Sequence, residues 1–475
     1  MNYLKETIAI CLPEIVLFLF GYITFLISFA GKKRKYTVAK SFCFSGLILA
    51  ICALLFTPSG TLGILSNSFV VSDFTTLIKA LILVGALLTV LISENFLKKH
   101  KKDSYNIISD FLLLITSALA LVSSNNFGLL FVAAAAISIF SAKLISHAPE
   151  GIDLVKRYRI VSGTSLLFIL GGITYIFWFY RVFNFEQIAQ YLVQFYPTVG
   201  FNIALVFIAI GLLFNILTAP FCILFPDIVE KTNSLFSVLC TTIIPIAGFA
   251  SVIRLLSIFG SFSRITTFAI MILAVITLLS GTAGMICQKK MTRFLGYSTI
   301  THTGFMLIGI CALYLTNTAA ILFYLLCFVF MNIGVWSAVC IFKQSNETDN
   351  IKGYKGLFFK RPFYVGAFSI CLFALAGMPP TSGFLSKLYI FMAMARSGLV
   401  YLLFLIFTML VTVAAAYAYL RIIRLFFEDN EHLNKLHNRY AVFKYVLYLS
   451  TVITVFLCFF ARPVIELCKI TAYTI

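Results

Sequence analysis

The chain has 475 residues, 61% hydrophobic and 11% charged, with 51 phenylalanines and a net charge of +19. A mean hydropathy of +1.02 over that length excludes a soluble domain, and apolar runs of about 20 residues in place of short alternating strands exclude an outer-membrane barrel. The fold class is therefore an all-α integral membrane protein, with residues 1–475 forming a single polytopic domain.

Apolar runs of spanning length fall near 8–29, 40–57, 74–93, 107–122, 127–146, 160–181, 201–224, 234–258, 266–287, 299–315, 319–342, 363–394, 399–427 and 441–460. That predicts about 14 transmembrane helices. The first run is too long in its apolar part for a signal peptide and is read as an uncleaved span. Basic residues follow the odd-numbered spans. They include Lys32, Lys33, Arg34 and Lys35; Lys98, Lys99, Lys101 and Lys102; Lys156, Arg157 and Arg159; Lys289, Lys290 and Arg293; Lys352, Lys355, Lys360 and Arg361; and Arg421 and Arg424. The even-numbered exits, such as Pro58 to Ser72 and Asn184 to Gly200, carry almost none, and the exit Asp227 to Lys231 is nearly neutral. The positive-inside rule then puts the basic loops in the cytoplasm and both termini on the periplasmic side of a bacterial inner membrane. It also accounts for the positive charge without a nucleic-acid partner. Twelve cysteines, among them Cys43, Cys240, Cys327 and Cys371, show no metal-ligand spacing, so no metal, cluster or disulfide framework is expected.

Two spans carry a break. Gly377-Met378-Pro379-Pro380 interrupts the run from Val365 to Phe391, and Asn215 to Phe221 interrupts an earlier run through Ala219-Pro220. A prolyl break removes donors and frees carbonyls, which lipid cannot satisfy. Lys387 follows the second break within apolar sequence that continues to Met394, with Arg396-Ser397-Gly398 as the plausible exit. A lysine at that depth costs about 2.5 to 3.5 kcal/mol and points to a polar site. The plainer alternative ends one helix at Pro379-Pro380 and lets Lys387 snorkel. The breaks lie five spans apart, so two inverted five-helix repeats are expected, about 107–258 and 266–427, each with a broken helix.

The segments around these breaks resemble a known family. Ala374 to Lys387 is similar to an AGxPPxxGFxxK signature, Arg293 to Phe305 to a KRLLAYSSIAHAGY segment, and Pro226 to Glu230 to a PDxYE motif. These resemble the antiporter-like membrane subunits of respiratory complex I, the NADH:quinone oxidoreductase. Met331-Asn332-Ile333-Gly334 favours the subunit N branch over the Mrp cation/proton antiporter relatives. The resemblance implies a proton-translocating subunit with other membrane subunits of complex I as partners. NADH, flavin, iron-sulfur clusters and quinone would sit elsewhere in that complex, with no redox cofactor on this chain.

The resemblance also implies a mid-membrane row of Lys, Glu and His, and the chain departs from it. The fifth-helix glutamate falls at Ala135, the seventh-helix lysine at Asn215 and the eighth-helix lysine at or beside Pro245. Lys387 and His302 remain, and Lys79 and Arg157 resemble basic positions elsewhere in the family. Lys387 is the leading proton-path residue. His302 is either a relay or a hydrogen-bonded packing residue beside Thr301 and Thr303. Lys79 is read as a possible proton-path group or a snorkelling side chain, and Asn215 as a site able to hold water. Asp227 and Glu230 either cap the next helix or feed protons. Arg157 is expected as an interfacial anchor and Tyr158 as a belt residue. Two alternatives stand beside the complex I reading: an Mrp-like cation/proton antiporter subunit, and a non-pumping structural subunit of the membrane arm.

Overall fold

The computed structural model describes residues 10–29, 36–57, 60–64, 67–100, 103–195, 197–259, 264–311, 315–346, 349–396, 398–428 and 441–474. The expectations resting on Lys32 to Lys35, Lys101, Lys102, Pro58 and Ser397 lie outside these residues.

Helices account for nearly all of the described chain. In order they are α1 (Leu12–Phe29), α2 (Tyr36–Leu55), α3 (Asp73–Ile92), α4 (Glu94–Lys99), α5 (Ser104–Ser123), α6 (Phe127–Ser146), α7 (Gly151–Tyr180), α8 (Phe185–Gln194), α9 (Val199–Leu213) and α10 (Phe225–Lys231). There follow α11 (Ser234–Phe259, containing a π turn at Leu239–Ile243), α12 (Arg264–Cys287), α13 (Met291–Cys311), α14 (Leu315–Asn346) and α15 (Leu357–Lys360). The last five are α16 (Pro362–Ala376), α17 (Ser382–Ala395), α18 (Leu399–Phe426), α19 (Ala441–Phe459) and α20 (Ala461–Ala472). Among the described residues, 11 helices are long and apolar enough to cross a membrane, and four shorter apolar helices include both halves of the second broken span.

Polar residues at the ends of the apolar runs set the helix starts. Ser72 and Thr75 form a reciprocal capping box on α3. Asn126, Asn184, Thr198, Asn233 and Thr381 each accept a bond from a first-turn N–H of the helix they precede. Starts were read late where a helix opens on polar sequence. α7 begins at Gly151 and α13 at Met291, because the basic segment 156–159 lies within α7 and Arg293 within the first turn of α13. Two amphipathic helices, α8 and α20, and the antiparallel hairpin β1 (Leu62–Ile64) and β2 (Phe69–Val71) were not expected from hydropathy. They are too short or too polar to read as spans.

The centre of the bundle is α11, whose apolar window is wholly buried, while α18 lies at the periphery with 17% of its apolar window buried. Close packing rests on small residues, since lipid offers helices little hydrophobic reason to associate. A Cβ on Gly281 of α12 would meet Thr301 N at 2.6 Å, and one on Gly304 of α13 would meet Leu278 N at 2.6 Å. Arg254 of α11 is buried and donates to the Val122 and Ser124 carbonyls at 3.2 and 3.1 Å, closing the C-terminus of α5. Helix α3 packs against α11, against its π turn and against α14, and so touches both halves of the molecule.

Candidate functional site

Each broken span keeps its backbone satisfied in the same way. In the first, Leu217 takes a left-handed φ of 63° and Thr218 N–H donates to the Leu213 carbonyl at 3.3 Å. In the second, Gly377 has φ 79° and Met378 N–H donates to the Phe373 carbonyl at 3.1 Å. A cis X-Pro bond follows in both, at Ala219-Pro220 and Pro379-Pro380. These features recur 160 residues apart, Leu217 matching Gly377 and Pro220 matching Pro380. Such a left-handed turn is how a helix C-terminus is usually closed. Outside help differs. At the first break Ala219 N–H donates to Thr277 Oγ1 of α12 at 2.9 Å.

At the second break the help is Lys387. Its Nζ donates to the carbonyls of Leu375 and Ala376 at 3.1 and 2.9 Å, the last free acceptors of α16. The negative end of that half-helix and two carbonyl dipoles hold the ammonium, so the cation is solvated by protein in place of water. Lys387 is buried, with 8% of its surface exposed, so it does not snorkel to an interface. The backbones of α16 and α17 approach so closely that a Cβ on Gly383 would lie 1.8 Å from the Ala374 oxygen.

His302 sits on α13, the helix that packs against α17 through Gly309 and Ile390. Its Nδ1 lies 2.6 Å from Tyr324 Oη of α14, and its Nε2 lies 3.1 Å from Tyr419 Oη of α18. Tyr419 Oη continues to Ser298 Oγ at 2.5 Å. The flanking Thr301 and Thr303 turn instead to backbone carbonyls of their own helix. Both ring nitrogens are therefore engaged by hydroxyls that can donate or accept, a chain of groups able to hand on a proton.

The first break is lined differently. Asn215 is buried beside Gly248 of α11, and Ala135 is only half-buried on α6. Counted from the breaks, the residue in register with Lys387 is Asp227, and Asn215 is in register with Leu375. The polar residues of the two half-sites are thus offset in sequence relative to their breaks. Pro245 forces the π turn before it. It has no N–H, and its ring leaves the Thr241 carbonyl without an intrahelical donor. Asn332 of α14 supplies one, with Nδ2 3.0 Å from Thr241 O and 2.9 Å from Thr242 Oγ1. This amide joins the two halves at mid-depth. Asn332→Leu strands those acceptors and is expected to cost about 1 to 3 kcal/mol, read as a lower unfolding midpoint of the detergent-purified protein.

Asp227 and Glu230 cap nothing; Asn233 caps α11. They form an ion-pair cluster with the start of α13, where Arg293 Nη2 lies 2.8 Å from Asp227 Oδ1 and Lys290 Nζ 2.5 Å from Glu230 Oε1. The bond to Glu230 holds the Lys290 ammonium above its ordinary range. Two of the motifs read in the sequence therefore meet here. A cavity of about 360 Å³ opens beside this cluster, lined by Thr232, Ser237, Thr292, Trp336 and Lys343 among others. A second, of about 290 Å³, is lined by Asp110, Lys143 and His147, with Lys143 Nζ 3.5 Å from Asp110 Oδ1.

Lys79 does not snorkel. It is fully buried, its Nζ 2.7 Å from Glu14 Oε1 of α1. Arg157 is exposed as expected, whereas Tyr158 is buried with its ring 5.6 Å from Phe214, a packing residue instead of a belt residue. Glu14, Tyr324, Tyr419 and Asn332 were missing from the sequence-based site. Glu14 had left a signal as an acid inside the first apolar run, and Asn332 one as the polar residue of the Met331 to Gly334 segment.

A family model described as NADH:quinone oxidoreductase/Mrp antiporter, TM matches residues 124–413. The chain is 29% identical over 393 residues to NAD(P)H-quinone oxidoreductase subunit 2 of Microcystis aeruginosa, covering 80% of this chain and 75% of the relative. It is 24% identical over 470 residues to NADH-quinone oxidoreductase subunit N of Desulforamulus reducens, covering 98% of each. Among solved structures, a chain of respiratory complex I from Thermus thermophilus superimposes with a TM-score of 0.81 at 21% identity, covering 96% of this chain and 99% of that one. A chain of the Mrp complex from Dietzia sp. superimposes at 0.84 with 15% identity, covering 98% and 97%. With the matched segment spanning both breaks and the lysine beyond the second, this multi-pass membrane protein belongs to the NADH:quinone oxidoreductase/Mrp antiporter membrane-subunit family.

Proposed function

We propose that the chain is a proton-translocating membrane subunit of a respiratory NADH:quinone oxidoreductase, coupling electron transfer to quinone elsewhere in the assembly with proton movement through its second half. The observation that carries this reading is the Lys387 ammonium seated on the carbonyl end of a broken membrane helix. A buried lysine exchanges protons when its surroundings alternate between solvating the cation and not. Here the carbonyls of Leu375 and Ala376 supply the solvating state, and the hydroxyl chain through His302, Tyr324 and Tyr419 lies on the neighbouring helices. The recurrence of both breaks at 160 residues supports two repeats, about 107–258 and 266–427. The partners are the other membrane subunits, the lipid bilayer and protons. NADH, flavin, iron-sulfur clusters and quinone belong to other chains. The location is a bacterial inner membrane, with the Asp227 and Lys290 cluster on the cytoplasmic side and both termini on the periplasmic side.

A second reading rests on Ala135, Asn215 and Pro245. An amide, a methyl and a proline cannot bind and release protons, so the first half acts as a frame that holds the second. If so, Ala135→Glu combined with Asn215→Lys leaves the protons moved per electron unchanged. A gain would show a first-half path that lacks only its charges. The assembly itself is tested by affinity purification from membranes in mild detergent. Recovery with the other subunits of the oxidoreductase is expected, and recovery alone or with antiporter subunits overturns the reading.

A further inference from the structure

We infer that Glu14 and Lys79 form a second proton-exchange site of this chain, closed toward the outer end of the bundle by an apolar plug; the inference rests on the reading of the chain as a proton-moving subunit. Both residues lie outside the segment matched by the family model. Lys79 Nζ is 2.7 Å from Glu14 Oε1, with side-chain exposures of 0% and 10%.

Buried ion pairs that serve as fixed ties fill their remaining lone pairs and protons with hydrogen bonds, since their mutual attraction alone barely offsets the loss of water. This pair does not. Among the described residues neither the Glu14 oxygens nor Lys79 Nζ has a well-directed hydrogen bond. Lys79 is otherwise met by the face of Phe69, whose ring centre is 5.0 Å from Nζ. Phe69 belongs to a small apolar cluster with Ile10, Ile64 and Val71, separate from the main core. The hairpin thus lays a thin roof over two charges. Cys11 interacts electrostatically with both.

The inward side of the pair leads to the junction of the two halves. Six residues along α3, about 9 Å of helix, Gly85 packs against Ile243 of the π turn and Val329 of α14, with a Cβ there 3.5 and 3.7 Å from them. At that level Asn332 bridges α14 to Thr241 and Thr242. The pair therefore stands between the mid-depth polar link and the outer end, on the helix that both halves touch. In the exchange, the Glu14 carboxylate takes one proton from the interior and becomes the neutral acid. It loses that proton outward when the plug parts. One proton enters and one leaves.

The test uses the intact respiratory complex in inverted membrane vesicles, measuring protons moved per electron and complex assembly. Each single change leaves an unpaired buried charge, so the informative variant is Glu14→Gln with Lys79→Met together. We expect the double variant to assemble and to move fewer protons per electron. A double variant that assembles and pumps at the wild-type ratio overturns the inference. Should it fail to assemble, infrared difference spectra of the working wild-type complex decide. A carboxylic-acid band that moves in Glu14→Asp supports the inference, and spectra without a Glu14-dependent band overturn it. Lys387→Ala run alongside separates the two claims: an unchanged ratio there removes the underlying reading, whereas a lowered ratio there with a normal Glu14/Lys79 double variant removes only this one.

Discussion

Replacing Lys387 with alanine is expected to lower the number of protons moved per electron while leaving the complex assembled. The side chain donates to the Leu375 and Ala376 carbonyls, and removing it leaves two buried acceptors to find water or go unpaired. That costs about 1 to 3 kcal/mol, which a large helical bundle survives, because the turn at Gly377 still closes through its own bonds from Gly377 and Met378 to Phe373. What does not survive is the exchangeable cation. Lys387→Arg should fail as well. A guanidinium keeps its charge at every accessible pH, so it can occupy the carbonyls without ever releasing a proton. The measurement is vesicle acidification against the rate of electron transfer, with subunit composition checked on native gels. An unchanged ratio in either variant removes Lys387 from the path.

Gly383→Ala should abolish assembly. An added Cβ would lie 1.8 Å from the Ala374 oxygen and 2.7 Å from its carbon, and both are backbone atoms that cannot swing away. Met331 Sδ of α14 lies 3.0 Å from the same added Cβ, so the methyl is met from α14 as well. Relief requires prising α16 and α17 apart, at a cost above about 3 kcal/mol, and with them moves the contact between Lys387 and its carbonyls. Gly366→Ala is the control. It adds the same methyl to α16 at a position with nothing within 4 Å and should assemble normally. Recovery of Gly383→Ala at wild-type levels with normal pumping would show that the two half-helices do not need this approach.

The spans, the breaks and the family motifs were legible because each is written locally. Lipid demands about 20 apolar residues in a row for a helix, and proline acts on its own turn wherever it stands. The same locality made Lys387 conspicuous, since a charge within an apolar run signals itself. Lys79 was misjudged for the opposite reason. Snorkelling and burial differ only in where the side chain points, and that depends on Glu14, 65 residues away. His302 was placed beside its threonine neighbours, yet helix geometry turns those hydroxyls onto their own backbone, and its real partners are tyrosines 22 and 117 residues away.

By itself the sequence determined that this protein crosses a membrane many times, breaks two of its helices around proline, keeps one lysine beyond the second break and carries neutral residues at Ala135, Asn215 and Pro245. Only the tertiary structure decided that Lys387 lies on the carbonyls of Leu375 and Ala376, that Asn332 answers the carbonyl freed by Pro245, and that Glu14 and Lys79 are buried together. The division follows from the solvent. A bilayer enforces backbone bonding within each segment, so secondary structure is fixed by neighbours in the chain, but it offers buried polar groups nothing, so their partners are whatever the packing of distant helices brings within reach.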